Sequence, residues 1–259
     1  MAELMRTSNP ALNENVFAPS RSYSGTDTMS IQGTVNKTFV LLFILLAAAA
    51  WVWNKLQQPV TPFGDVVGEM TANVTPFMLA GVIGGFIIGL VTVFKKEWAP
   101  VTAPIYAFCE GLAIGGISGY FELSYPGIVI QAVTLTFCTL FCLLAAYKSG
   151  LIRATENFKL GVVAATGAIC LVYFIDIVLG FFHHQVPFIH SSGPLGIGVS
   201  LFIVTIAALN LVLDFDFIEN GARQGAPKYM EWYAAFGLMV TLIWLYLEIL
   251  RLLSKMRRK

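Results

Sequence analysis

From residue 38 onward the sequence is a succession of apolar runs, each close to bilayer length and separated by short polar connectors. A hydrocarbon core of about 30 Å takes about 20 helical residues to cross. Lipid offers no hydrogen-bond partners, so such runs must satisfy their backbone internally, as helices. Only 12% of residues are charged and 57% are hydrophobic, against about 25% charged in an ordinary soluble domain. The deficit spreads along the whole chain, which demands many spans rather than one anchor.

The runs predict an all-α integral membrane protein with helices over about 38–53, 75–94, 101–121, 127–147, 160–182, 195–218 and 236–250. The first run is short for a bilayer and must extend by a turn at one end. Residues 1–37, with Asn9-Pro10, Pro19, Ser20, Ser22 and Gly25, have tail composition. The expected organisation is a polar tail over 1–37 and a seven-helix transmembrane domain over 38–259. Arg6, Arg21, Lys37, Lys95, Lys96, Lys148, Arg153, Lys159, Arg223 and Lys228 fall on one set of connectors, and only Lys55 on the other before the C-terminal segment. That bias places the N-terminus in the cytoplasm. Seven crossings then put the basic tail Lys255, Arg257, Arg258 and Lys259 outside, as an exception, unless one late segment re-enters.

Gly81, Gly85 and Gly89 step by four through the second run, as Gly111, Gly115 and Gly119 do through the third. Such ladders lie on one helix face and let backbones approach, so packing of the second helix on the third is the simplest expectation. Cys109, Cys138, Cys142 and Cys170 all lie in apolar runs and read as small buried residues. His183, His184 and His190 sit in an irregular connector without metalloprotease spacing. No hydrolase or nucleotide-binding motif is present, so neither catalysis nor a cofactor is expected. Near-zero net charge gives no sign of nucleic-acid binding.

Chemistry points instead to acids inside apolar runs. A charge there costs roughly 2.5–3.5 kcal/mol on insertion scales, so it usually meets a partner or a water-filled cavity. Glu110, Asp176, Asp214 and Glu248 lie within runs, while Glu122 and Asp216 fall near run ends. Asn210 precedes Asp214 by one helical turn, so the two share a polar stripe. For Glu248 two readings stand: a cavity shared with Asp214, or local pairing with Arg251 three residues on.

Several segments resemble the transmembrane Bax-inhibitor-motif family, in its prokaryotic branch. Leu211-Val212-Leu213-Asp214-Phe215 is similar to its sixth-span motif, and Leu245-Tyr246-Leu247-Glu248-Ile249 to its seventh. Ile105-Tyr106-Ala107-Phe108-Cys109-Glu110-Gly111 resembles its glycine-rich third span, and Asn9-Pro10-Ala11-Leu12-Asn13 its N-terminal segment. The resemblance implies a seven-helix bundle closed around the last helix, in the cytoplasmic membrane of a prokaryote. It implies a pH-sensitive calcium leak, with Asp214 and Glu248 as proton sensor and calcium contact and Lys95 or Lys96 as a basic latch. Stress-related regulation through a membrane protease or another membrane-protein partner, without ion conduction, is the alternative it carries. Glu248 stands where the family has Asp, and lysine where the latch is arginine. The link between the acids is longer than in the family, which leaves Asp216 as a substitute for Asp214.

Helix arithmetic restricts direct contact. A straight seventh helix from Lys228 puts Glu248 about 30 Å along its axis, whereas a break at Gly237 leaves about 16 Å, against about 6 Å for Asp214 before Ile218. Contact between the acids therefore requires a break near Gly237, assisted by a helical extension of the sixth run.

Overall fold

The computed structural model describes residues 28–56, 66–182, 186 and 191–258. Seven long helices account for almost all of them: α1 (Ile31–Leu56), α2 (Val66–Phe94), α3 (Ala99–Ser124), α4 (Ile128–Lys148), α5 (Glu156–Phe181), α6 (Pro194–Arg223) and α7 (Met230–Arg257). All seven are long and apolar enough to cross a membrane. A single 3-10 turn, Lys96–Trp98, joins α2 to α3.

Local chemistry explains most of the boundaries. Pro100 and Pro194 occupy the first turns of α3 and α6, where the missing N–H has no intrahelical partner to lose. Thr155 caps α5 by accepting a hydrogen bond from Phe158 N at 3.3 Å. Gly127 (φ +79°) opens α4 and Gly225 (φ +68°) follows α6, both in the left-handed region.

The bundle is organised around α7, which packs against α1, α3, α4 and α6. Tyr233, Met239, Leu245 and Leu250 along it are fully buried. α3 is the other deeply buried helix, while α2, α4 and α5 present most of their surface outward. Helix α5 packs chiefly on α6, through Ile169, Ile203 and Ile206.

Three features refine the expected layout. α1 begins at Ile31, so part of the expected tail is helix, and Lys37 lies inside it. Its ammonium pairs with Glu231 in the first turn of α7, whose side chain is fully buried. Glu231 also accepts from Ser30 N and Ser30 Oγ, both at 2.9 Å, and pairs with Lys228 at 3.0 Å. Met29 N donates to Ala226 O at 2.6 Å, alongside a bridge between Thr28 and Pro227. One buried carboxylate thus ties the start of α1 to the start of α7.

Second, of the two courses open to the last helix α7 takes the continuous one through Gly237, and α6 carries the helical extension, five residues beyond Ile218 to Arg223. Third, α2 packs on α3 as expected, but the α3 glycine ladder is shared with a second neighbour. Gly81 lies against Cys109 O, at 2.5 Å from where a Cβ would stand, and Gly85 lies against Glu110. Gly116 meets Met78 of α2, but Gly111 and Gly115 lie against Leu45 O and Ala49 O of α1. The α3 glycines therefore serve two neighbours, with α1 and α2 on different faces. The four cysteines are free, with Cys138, Cys142 and Cys170 on the outer surface and Cys109 half-buried.

Candidate functional site

Asp214 lies on the face of α6 that meets α7, flanked by the buried residues Leu211, Leu213 and Phe215. It is 2% exposed. Among the described residues, its Oδ2 is the one buried side-chain oxygen or nitrogen without a hydrogen-bond partner. The Thr241 hydroxyl of α7 faces it, and that hydroxyl also donates to Gly237 O at 3.3 Å. Asp214 stands nine residues, about 14 Å, from the end of α6, and Thr241 about 16 Å from the start of α7. The two are level, well inside the bundle.

Glu248 is elsewhere. At 1.5 Å per residue it lies about 27 Å from the start of α7, so it is displaced along the bundle by about 13 Å from Asp214. The structure does not bring the two acids together, because α7 is continuous. Glu248 is instead satisfied by neighbours. Arg251 Nη1 reaches both carboxylate oxygens at 3.1 Å, Tyr173 Oη of α5 donates at 2.8 Å and Trp244 Nε1 at 3.3 Å. The Arg251 guanidinium also donates to Tyr173 Oη and lies over that ring, 5.1 Å from its centroid. Local pairing with Arg251, one of the two readings of the sequence, is the arrangement present.

Beside this cluster a cavity of about 720 Å³ opens between α3, α5 and α7, lined among others by Tyr120, Tyr173, Asp176, Glu248 and Arg251. Asp176 shares it with Glu248 and accepts from Val186 N at 3.0 Å. Asp214 lines neither this cavity nor the apolar one of about 510 Å³ between α1 and α4.

The remaining candidates separate. Asn210 turns toward α5, donating to Thr166 Oγ1 at 2.9 Å and Ile206 O at 2.8 Å. Asp216 is half-buried near the end of α6, where it pairs with Lys159 at 2.9 Å and accepts from Asn220 at 2.9 Å. Glu110 sits at the α2–α3 contact facing the Tyr106 hydroxyl. Glu122 accepts from Gly127 N at 2.5 Å and Val129 N at 3.2 Å, a carboxylate at a helix N-terminus. Lys95 is exposed, and Lys96 stands over the Tyr233 ring at 5.9 Å, near the α7 start rather than beside either acid. His183, His184 and His190 lie outside the described residues. Among the described residues no three His, Cys, Asp or Glu side chains gather as a metal-ligand set.

Two polar centres escaped sequence reasoning. Glu231 passes for a connector residue, and its partner Lys37 is 194 positions away. Lys255 passes for part of an exposed tail, yet it is buried, donating to Ser200 Oγ at 2.7 Å and Gly196 O at 3.2 Å. No local signal marks either.

A family model described as Bax inhibitor 1 like matches residues 9–258, nearly the whole chain. Neither the curated proteins nor the solved structures compared with it gave a match.

Proposed function

The chain belongs to the Bax inhibitor 1 like family, and on that premise we propose that it is a protonation-sensitive calcium leak pathway, seen here closed. One observation carries this reading: the Asp214 carboxyl group, buried between α6 and α7 with an unmatched oxygen. A charged carboxylate in a dry helix interface is costly. The cost disappears when a proton binds, or when the helices part and water or a hard cation reaches the oxygen. Calcium takes oxygen ligands, so Asp214 would serve as proton sensor when closed and as cation contact when open. Acid then favours the closed arrangement. In this reading the chain sits in the cytoplasmic membrane of a prokaryote with its N-terminus inside, as the connector charges suggest.

Calcium flux into proteoliposomes, followed with an entrapped indicator between pH 6 and pH 8, tests the proposal. Flux above that of empty vesicles, rising with pH and losing its pH response in Asp214→Asn, is expected. A pH response that survives Asp214→Asn together with Glu248→Gln sinks the sensor assignment.

A second reading, a membrane regulator that binds a membrane-protein partner without conducting, is favoured by the local pairing of Glu248 with Arg251, Tyr173 and Trp244. It predicts no flux above empty vesicles at any pH.

A further inference from the structure

The cavity beside Glu248 has its charges sorted by depth. Arg258 lies just past the end of α7 and Lys255 one turn below it, and both line the mouth. Glu248 is ten residues below Arg258, about 15 Å deeper, and Asp176 is about 8 Å below the end of α5. The Glu248 charge at the floor is already matched by Arg251 at 3.1 Å. Lys255 at the mouth has no ion-pair partner among the described residues: Glu248 attracts it only at longer range, and Arg251 repels it. It is 6% exposed, and its hydrogen bonds go to the neutral acceptors Ser200 Oγ and Gly196 O. Among the described residues no carboxylate lies within ion-pair distance of it. A buried ammonium without a counter-ion is costly, and its third N–H remains to be used.

The rest of the lining is amphiphilic. Ser124, Tyr125 and Ser254 stand near the cationic mouth, while Tyr120, Ile177 and Leu247 form apolar walls. Tyr120 and Ile177 are about 60% exposed, on a surface that lipid chains bathe. The mouth lies where α3, α5 and α7 all end, at one membrane face. A cationic, hydroxyl-bearing mouth above apolar walls open to lipid fits a phosphate with acyl chains attached.

We propose that this cavity binds one anionic phospholipid, its phosphate at Lys255 and Arg258 and an acyl chain along Tyr120, Ile177 and Leu247. The lipid supplies the counter-ion that the bundle withholds from Lys255. It would also fill the gap between α5 and α7, which the Tyr173–Glu248–Arg251 cluster bridges at its floor.

Trp244 lines the same cavity and reports on it. The full chain is reconstituted in phosphatidylcholine vesicles carrying a minor fraction of chain-brominated lipid, with either a phosphatidylglycerol or a phosphatidylcholine headgroup. Quenching assigned to Trp244, as the difference between wild type and W244F, is expected to be severalfold stronger for the anionic headgroup. That preference should largely vanish in Arg258→Gln and in Lys255→Gln. Native mass spectrometry of delipidated protein needs no Trp244 variant and gives an independent count: one phosphatidylglycerol retained in wild type, none in Arg258→Gln. Equal quenching by both headgroups, or a preference unchanged in Arg258→Gln, overturns the proposal. So does loss of the preference on adding millimolar inorganic phosphate, which would mark an ion site without lipid. None of these readouts depends on ion flux.

Discussion

Replacing Asp214 with leucine separates the energetic part of the proposal from the functional part. In wild type the carboxyl group is 2% exposed, and its Oδ2 has no partner among the described residues. An unmatched buried polar atom costs about 1–3 kcal/mol, and leucine is close to aspartate in shape. Asp214→Leu removes the cost and adds apolar surface to the α6–α7 contact opposite Thr241. It also frees the Thr241 hydroxyl, which keeps its bond to Gly237 O at 3.3 Å and so is not orphaned. The net expectation is a gain of about 1–2 kcal/mol, read by reversible denaturation of the purified protein in detergent. Proteoliposome flux should fall to the level of empty vesicles in the same variant. A more stable protein that no longer conducts is the signature of a site that sacrifices stability for function. If Asp214→Leu instead destabilises the protein by more than about 1 kcal/mol, the oxygen has a partner in the working protein. The reasoning from its isolation then falls.

Glu231→Gln removes the charge that Lys37 and Lys228 share, and breaking a buried pair from one side costs about 3–5 kcal/mol. Denaturation should register a loss near the lower figure, because Lys228 is half exposed, and protease should cut the chain earlier near Ser30. At the helix contacts, Gly81→Ala would place its Cβ at 2.5 Å from Cys109 O and 2.6 Å from Ala113 N. Backbone cannot yield there cheaply, and a loss of about 1–3 kcal/mol is expected in the same assay. Gly167→Ala on α5, where nothing lies within 4 Å, is the control and should change stability by less than about 1 kcal/mol.

The seven helices were legible because bilayer length is a physical constraint that composition cannot disguise. Their ends were less so. The sixth apolar run stops at Ile218, yet Glu219 and Asn220 continue as helix because each finds a partner, as Asp216 does just before them. Asp216 pairs with Lys159, and Glu219 accepts from Tyr147 at 2.6 Å and pairs with Arg223 at 2.5 Å. Charge marks the end of an apolar run, not the end of a helix. Glycine spacing identified the packing of α2 on α3, but not that Gly111 and Gly115 meet α1. The i, i+3 relation of Glu248 and Arg251 was readable because it is local. The pairing of Lys37 with Glu231 was not, because nothing in either neighbourhood names the other. Asp214 stood out as an acid in an apolar run, but Thr241 opposite it looked like any threonine in a membrane helix.

The central helix is fastened at both ends. Its first turn is held to α1 through Glu231, Ser30 and Lys37. At its far end Lys255 reaches the start of α6, and Arg257 donates to Pro126 O at 2.7 Å and Gln131 Oε1 at 3.0 Å. A rod pinned top and bottom cannot slide along its axis or turn about it while those bonds hold. The freedom left to the bundle belongs to the outer helices. α5, which packs chiefly on α6, has the fewest neighbours to carry along. Opening a passage to Asp214 would then be a swing of the periphery about a stationary axle, and the moving surface would be the one that lipid touches.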